Sequence, residues 1–446
     1  MKKILYLLML LPFGLFGQND FVRMIVTAEG EVQFMRDQQK LWVSSITSPP
    51  VYEADYYVAT WGNDDDPGTF SEPFASLDKA FSLVVAGDTV YVRGGTYFQP
   101  NPTDDHLAFV ENRDGSAGNL ICIFNYPGET PVFNANNCTA TGENNGIYLY
   151  RCDYWHLKGL HVTGVQHGTA AQPYAIRIRG LTGTPSTNIT IENCVAYANE
   201  GIGIQLTYTD DCIVLNCDAY FNDDPVGFNN GNGFVVSYTN ISTINSFKGC
   251  RAWNNSWGEG FGCWAAEGIV SWDSCWSWNN TGIPGDGGGF ELGLTYEDPD
   301  IVTQRFVRNC IAVNNVIGFN QASANVIMEL YNNIAYLNDM GYYLDQYANA
   351  ITTKNNISYD NDEADSFGGV SVSSNNDWDS EVTVTDADFV SLDVNQLDNP
   401  RQADGSLPVV TYLHLVEGSD LIDAGVDVGL DYEGAAPDIG YAESNY

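Results

Sequence analysis

The stretch Asn193-Cys194-Val195-Ala196-Tyr197-Ala198-Asn199 recurs as Asn216-Cys217-Asp218-Ala219-Tyr220-Phe221-Asn222 and as Gly249-Cys250-Arg251-Ala252-Trp253-Asn254-Asn255. Four more copies are anchored at Cys275, Cys310, Asn333 and Asn356, each with an Asn five residues on: Asn280, Asn315, Asn338 and Asn361. Successive anchors lie 23, 33, 25, 35, 23 and 23 residues apart. A period of this length, with alternating apolar residues and no helical spacing, marks a β-solenoid whose coils stack their strands in parallel.

A second phrase precedes each copy. Gly203-Ile204-Gln205-Leu206, Gly233-Phe234-Val235-Val236, Gly260-Phe261-Gly262-Cys263, Gly289-Phe290-Glu291-Leu292 and Gly341-Tyr342-Tyr343-Leu344 share it, and Gly318-Phe319-Asn320-Gln321 keeps its first three places. Side chains alternate faces along a strand, so the first and third residues after Gly enter the core and the second faces out. This predicts an outward column of Gln205, Val235, Gly262, Glu291, Asn320 and Tyr343.

Met1-Lys2-Lys3, the apolar run from Ile4 to Phe16 and the small Gly17 read as a secretory signal peptide, residues 1–17. Residues 18–53 read as an N-terminal segment closed by the linker Ser48-Pro49-Pro50, and 54–446 as one solenoid domain. Helical spacing over 74–81 predicts a helix plugging the N-terminal end of the core, and the tail after Asp362 is expected to fold back as a C-terminal cap. No later apolar run reaches the ~20 residues a membrane span needs. The expectation is a secreted protein, extracellular or periplasmic, monomeric and off the membrane.

Eighteen Lys and Arg stand against 57 acids, a balance that excludes an unassisted nucleic-acid or acidic-lipid surface. It also repels a polyanionic glycan, unless a cation, a local basic patch or a neutral substrate intervenes; acidity that merely keeps an exported protein soluble is the plain alternative. Five of the ten cysteines hold the same place in successive coils, ~4.8 Å apart with parallel side chains. That spacing suits stacked buried thiols better than disulfides, whose Cβ atoms approach to ~3.8 Å, and no His-rich zinc motif follows.

The Gly87-Asp88-Thr89-Val90-Tyr91-Val92-Arg93-Gly94-Gly95-Thr96-Tyr97 stretch, the Asn-Cys-x-Ala ladder and the Leu421-Ile422-Asp423-Ala424-Gly425 tail resemble polysaccharide lyase family 9. The resemblance covers roughly residues 56 to 443. It implies an all-β, right-handed parallel β-helix of the pectate-lyase-like kind, in which an outward lysine abstracts a proton and several aspartates hold calcium. Here Glu291 stands at the lysine's place. The calcium loop falls on Gly258-Glu259-Gly260-Phe261-Gly262 and its partner aspartate on Asn232, so one acid of four remains. Calcium takes six to eight oxygens. No cofactor is expected as a result; calcium stays an option only through a site largely lost.

Glutamate in place of lysine points to glycoside hydrolysis, which commonly uses two carboxyl groups, or to an unusual lyase. Glu259 and Glu291 lie one coil and about three residues apart, ~11 Å between backbones. Exposed glutamates on so acidic a solenoid are ordinarily plain solvated surface, and only the alignment lifts these two above that. Six of ten tryptophans fall between Trp253 and Trp278, and Trp257 and Trp264 flank the Glu259 turn, where their rings suit either sugar stacking or core packing. The expected site is thus Glu291 and Glu259 as catalytic residues, with Trp257, Trp264, Arg251, Arg177 and Asn232 binding substrate. Two functions fit: a secreted polysaccharide-degrading enzyme, lyase or glycoside hydrolase, or a non-catalytic extracellular glycan-binding β-helix.

Overall fold

The computed structural model describes Arg23–Val26, Glu31–Arg36, Gln39–Ser45 and residues 52–445 apart from 169–171, 228–229, 241–242, 282–287, 294–302, 323–325 and 346–349. The signal-peptide expectation lies outside the described residues. Two units partition the chain, Met1–Glu53 and Ala54–Tyr446. In the first, three strands (Arg23–Val26, Glu31–Arg36, Gln39–Ser45) form an antiparallel meander. The period-two alternation Glu31-Val32-Gln33-Phe34 is its sequence signal, although the reading above assigned the segment no strands.

The second unit is a parallel β-helix. Each coil lays one strand in each of three sheets, of nine, twelve and ten strands among the described residues, and neighbouring strands in every sheet come from successive coils. One coil runs Ile202–Thr207, Ile213–Leu215, Asp218–Tyr220, and the next begins at Phe234–Ser237. Between strands the chain turns on residues with left-handed backbone. Asn193, Asn216, Gly249, Ser274, Asn309, Asn332 and Asn355, with φ between 53 and 61, occupy one bend. Asn and Gly tolerate this region best, which explains why they dominate that place in the repeat.

The repeated phrase closes as a buried ladder. Asn199 Nδ2 donates to Asn222 Oδ1 (2.9 Å), Asn222 to Asn255 (3.0 Å), Asn255 to Asn280 (2.9 Å), Asn280 to Asn315 (3.1 Å), Asn315 to Asn338 (3.2 Å) and Asn338 to Asn361 (3.0 Å). Each interior amide also donates to a carbonyl of the coil before it, as Asn255 does to Ala219 O at 3.1 Å. All ten cysteines are free thiols. Inside, Phe234, Phe261, Phe290, Phe319 and Tyr342 stack with centroids 4.8 to 5.0 Å apart.

The expected helix spans Leu77–Leu83, with Ser76 Oγ accepting from Lys79 N at its start. Leu77, Ala80 and Phe81 join the core, while Asp78 accepts from Phe109 N at 2.8 Å, on the edge strand of the nine-stranded sheet. The tail begins at the end of the core, where Phe367 and Trp378 pack on Tyr342. It folds back along the flank, where Phe389, Leu397, Tyr412 and Ile439 cover Trp276, Trp278, Ile311 and Ile334 on the outer face of the ten-stranded sheet. An apolar outer face of that size requires a cover.

Asn255→Leu keeps volume but removes four buried hydrogen bonds, those from Asn222 N and Nδ2 and those to Asn280 Oδ1 and the Ala219 carbonyl, and an unsatisfied buried group such as Asn222 N costs about 1–3 kcal/mol. Chemical denaturation should show a loss of about 3 kcal/mol or more; a loss under about 0.5 kcal/mol, the ordinary range for a surface substitution, would remove the ladder from the stability of the fold.

Candidate functional site

The alternation that buries Ile204 and Leu206 turns Gln205 outward, and the parallel register stacks each outward residue on the next. Arg177 pairs with Gln205, Gln205 with Val235, Val235 with Gly262, and Glu291 with Asn320 and then Tyr343. Phe261 pairs with Phe290, which sets Gly262 beside Glu291. A second outward column runs parallel: Arg179, Thr207, Ser237 and Trp264. These columns floor a trough of about 660 Å3 on the nine-stranded sheet.

Five residues expected at the site meet there: Glu291, Glu259, Trp264, Arg177 and Asn232. Glu259 is buried and reaches back over the column. Its Oε2 lies 3.3 Å from where a Cβ on Gly262 would stand, and Asn232 Nδ2 lies 3.0 Å from the same point. The bare glycine makes the space for both side chains. It also places the Glu259 carboxylate over the Gly262 rung, whose backbone lies about one strand spacing (~4.8 Å) from that of Glu291.

Four strands along the column, ~19 Å from Glu291, lies the cationic end. Arg177 is buried, donates to Gln205 Oε1 (3.0 Å), pairs with Glu143 (2.6 Å) and stacks on Tyr174, 3.9 Å from its centroid. Arg179 lies beside it in the second column. Burial pushes the Tyr174 hydroxyl above its ordinary range, so it stays a neutral hydrogen-bonding group.

Two expected residues are elsewhere. Arg251 belongs to the ten-stranded sheet, buried in a bidentate pair with Asp218 (both contacts 2.8 Å) and donating to Leu397 O and Asn399 O of the tail (2.9 Å each). It is a fastener for the tail, because its place in the phrase faces the flank and not the trough. Trp257 sits at a left-handed bend (φ 60), half-exposed, outside the trough lining. Trp253 and Trp278 stack at 4.7 Å as part of the flank ladder, and Asp273 pairs with Lys248 on the twelve-stranded sheet.

Sequence reasoning missed Tyr208, Tyr238 and Arg179, which also line the trough. Their signal was available: all three follow the outward column by two or three places in their coils. It missed Arg305 as well, a fully buried guanidinium under the floor that donates to Leu292 O (2.8 Å), Gly268 O (2.8 Å) and Ala266 O (2.6 Å). Arg305 thereby ties the exit of the Glu291 strand to that of the Trp264 strand.

The calcium expected of the resemblance finds a poor donor set. Only Asn232 and Glu259 bring side-chain oxygens, and Asn232 turns its Nδ2 toward the Glu259 carboxylate while its buried Oδ1 faces Gly258. Gly258 and Gly262, at the other two places, bring no side-chain oxygen, and a Cβ at Gly258 would collide with Asn232 Oδ1. Against six to eight oxygens, these residues do not fit the ion.

Comparison with known proteins agrees with this architecture. The family model of the Pel9A-like right-handed beta helix region matches residues 56–376. Pectate lyase L of Dickeya dadantii is 28% identical over 425 residues, 90% of this chain and 93% of that protein. Pectate lyase PEL9 of Emericella nidulans is 27% identical over 423 residues, 86% and 97%. Among solved structures, pectate lyase Pel9A gives a TM-score of 0.74 at 27% identity, over 87% of this chain and 96% of that one. A rhamnogalacturonan lyase gives 0.59 at 25% identity, over 81% and 96%.

Arg251→Ala should lower stability by about 2–4 kcal/mol, since Arg401 still faces Asp218 (2.7 Å), while leaving glycan binding unchanged; weakened binding with unaltered stability would return Arg251 to the site. Burial alone would raise the Asp218 carboxyl, but Arg251 and Arg401 outweigh it and hold it below its ordinary value. A carboxyl depressed in the folded state stabilises fully above the unfolded value, near ~3.9, and loses that contribution as pH falls through the folded one. Acid titration should therefore loosen the tail only below about pH 4.

Proposed function

The chain belongs to the Pel9A-like right-handed β-helix family, and on that footing we propose a secreted polysaccharide-degrading enzyme whose glycan lies along the trough, with Glu291 as the central catalytic carboxylate and Glu259 beside it. The observation that carries this reading is the adjacency of the two acids on one trough floor, next to Trp264. Two carboxyl groups flanking one glycosidic bond can divide the work of its cleavage, one protonating the leaving oxygen and the other attacking or activating water. Trp264 supplies an apolar ring face of the kind sugars stack on. Asn232 lines the same trough beside Glu259 and adds a polar side chain to its floor.

Distance decides what the arginines do. At ~19 Å a unit charge changes the energy at Glu291 by only ~0.2 kcal/mol in water, and that separation exceeds the ~8–10 Å screening length. Arg177 and Arg179, four rungs away by backbone, therefore contribute little to neutralising an enolate-like charge that would form on a sugar beside Glu291. Their place is to bind an acidic or polar sugar farther along the chain, as the local basic patch that a protein of net charge −39 needs to hold an anionic glycan. Hydrolysis by the acid pair is accordingly the reaction these residues serve best. Elimination is the second reading, favoured by the lyase relatives; Glu291 would then act as the base that removes the proton α to a uronate carboxyl. The leader-like opening from Met1 to Gly17 supports export, and the monomeric state is part of the same proposal.

Incubation with plant and algal polysaccharides, following absorbance near ~235 nm and reducing ends, separates the modes, because elimination alone creates a conjugated unsaturated product. Reducing ends without absorbance are expected; retained binding with neither signal would make the protein a glycan binder. Glu291→Gln should abolish cleavage, by about 10³-fold or more for a group acting in the transition state, and keep the fold. Full activity in that variant would remove Glu291 from the reaction. Given the two-oxygen donor set, EDTA should leave activity unchanged, and a sharp loss would reveal a metal requirement.

A further inference from the structure

The trough has an edge, and the surface beyond it is unassigned. There the strands that carry Gln205, Val235 and Gly262 end in Tyr208, Tyr238 and Ala265, all with left-handed backbone (φ 50, 53 and 48). Two tyrosines in a region that disfavours bulky residues cost about 1 kcal/mol or more each. Their rings stack at 4.9 Å with a 13° tilt, and Trp264 meets Tyr238 edge-on at 5.0 Å. The result is an aromatic ridge. On its far side lies a second cleft of about 100 Å3, lined by Thr182, Thr239, Asn240, Ala265 and Glu267 and walled by the same two tyrosines.

We propose that this side cleft holds a neutral glycosyl branch of the polysaccharide whose main chain occupies the trough, with the Tyr208–Tyr238 ridge as the surface on which the branch turns; this rests on the trough being a glycan site. Position is the first argument. A main chain running along the stacked strands passes the ridge lengthwise, so only a substituent leaving it sideways reaches the cleft. Chemistry is the second. Hydroxyls of Thr182 and Thr239 and the Asn240 amide border it, and its one charged lining residue, Glu267, repels a uronate. Rigidity is the third. Asp210 pins the rim by accepting from Asn240 N (3.2 Å), Asn240 Nδ2 (2.6 Å) and Thr243 Oγ1 (2.6 Å), and Thr239 Oγ1 accepts from Gly268 N (2.8 Å). A cleft held in shape before binding avoids the entropy of ordering itself around a ligand.

The test is affinity electrophoresis of full-length Glu291→Gln protein in gels containing a pectic polysaccharide with neutral side chains, or the same polymer after enzymatic debranching. About tenfold tighter binding to the branched polymer is expected. Thr182→Trp, which fills the cleft from an exposed turn, should bring the ratio of the two affinities close to one. Equal retardation by both polymers, including none by either, or a ratio unmoved by Thr182→Trp, overturns the branch cleft. Cleavage is read separately on the unmodified enzyme. Branch discrimination without cleavage would sink the proposed reaction and leave this inference standing, and cleavage without discrimination the reverse.

Discussion

The buried amides of this β-helix find most of their partners one coil away, and this constraint organises the molecule. The Asn199-to-Asn361 ladder leaves each interior Nδ2 two acceptors and each Oδ1 two donors, all from neighbouring coils. Leaving such a group unpaired costs about 1–3 kcal/mol, so a slip of one rung would forfeit several such bonds together. The thiol column obeys the same geometry with weaker bonds, Cys217 Sγ donating to Ile191 O and Cys250 Sγ to Val214 O at 3.4 Å. After Cys310 the column changes to Asn333, Asn356 and Asn376, and a second amide ladder takes over.

Fixed register is what turns a repeat into a surface. Because Arg177, Gln205, Val235, Gly262 and Glu291 are stacked and not scattered, the trough has a cationic end and an acidic end separated by strand spacings. Relatives that match over most of their length are pectate lyases; in this chain Glu259 and Glu291 line one trough with Arg177 and Arg179. The glycine at 262 matters as much as the acids, since its missing side chain admits Glu259 and Asn232. Under the floor, Arg305 meets only carbonyls and a hydroxyl in its hydrogen bonds. Burial lowers its affinity for the proton, and the Cys263 sulfur beside it counters that only in part.

Residues in the outward column were readable from the sequence because alternation and repeat spacing together specify face and rung. That is why Glu291 and Arg177 could be placed, and why the aligned turn brought Glu259 and Asn232. Arg251 was misjudged for a specific reason. It is outward too, but on the ten-stranded sheet, and the linear chain does not say which outward face is left open. A clue existed in its own column: Asp218 and Arg251 give way to Trp276, Ile311, Ile334 and Ile357, a polar-to-apolar change that announces a covered flank.

By itself, the sequence determined the coil, the rung spacing, the free thiols and the two faces of every strand, since each depends on near neighbours along the chain or on the next repeat. Tertiary structure alone decided which sheet became the trough. The tail's apolar side chains cover one flank and its arginine at 401 joins Asp218, contacts between residues more than a hundred positions apart that no local pattern encodes. The meeting of Glu259 with the rung beside Glu291 is of the same kind, a matter of side-chain reach across an empty glycine, which period and alternation leave open.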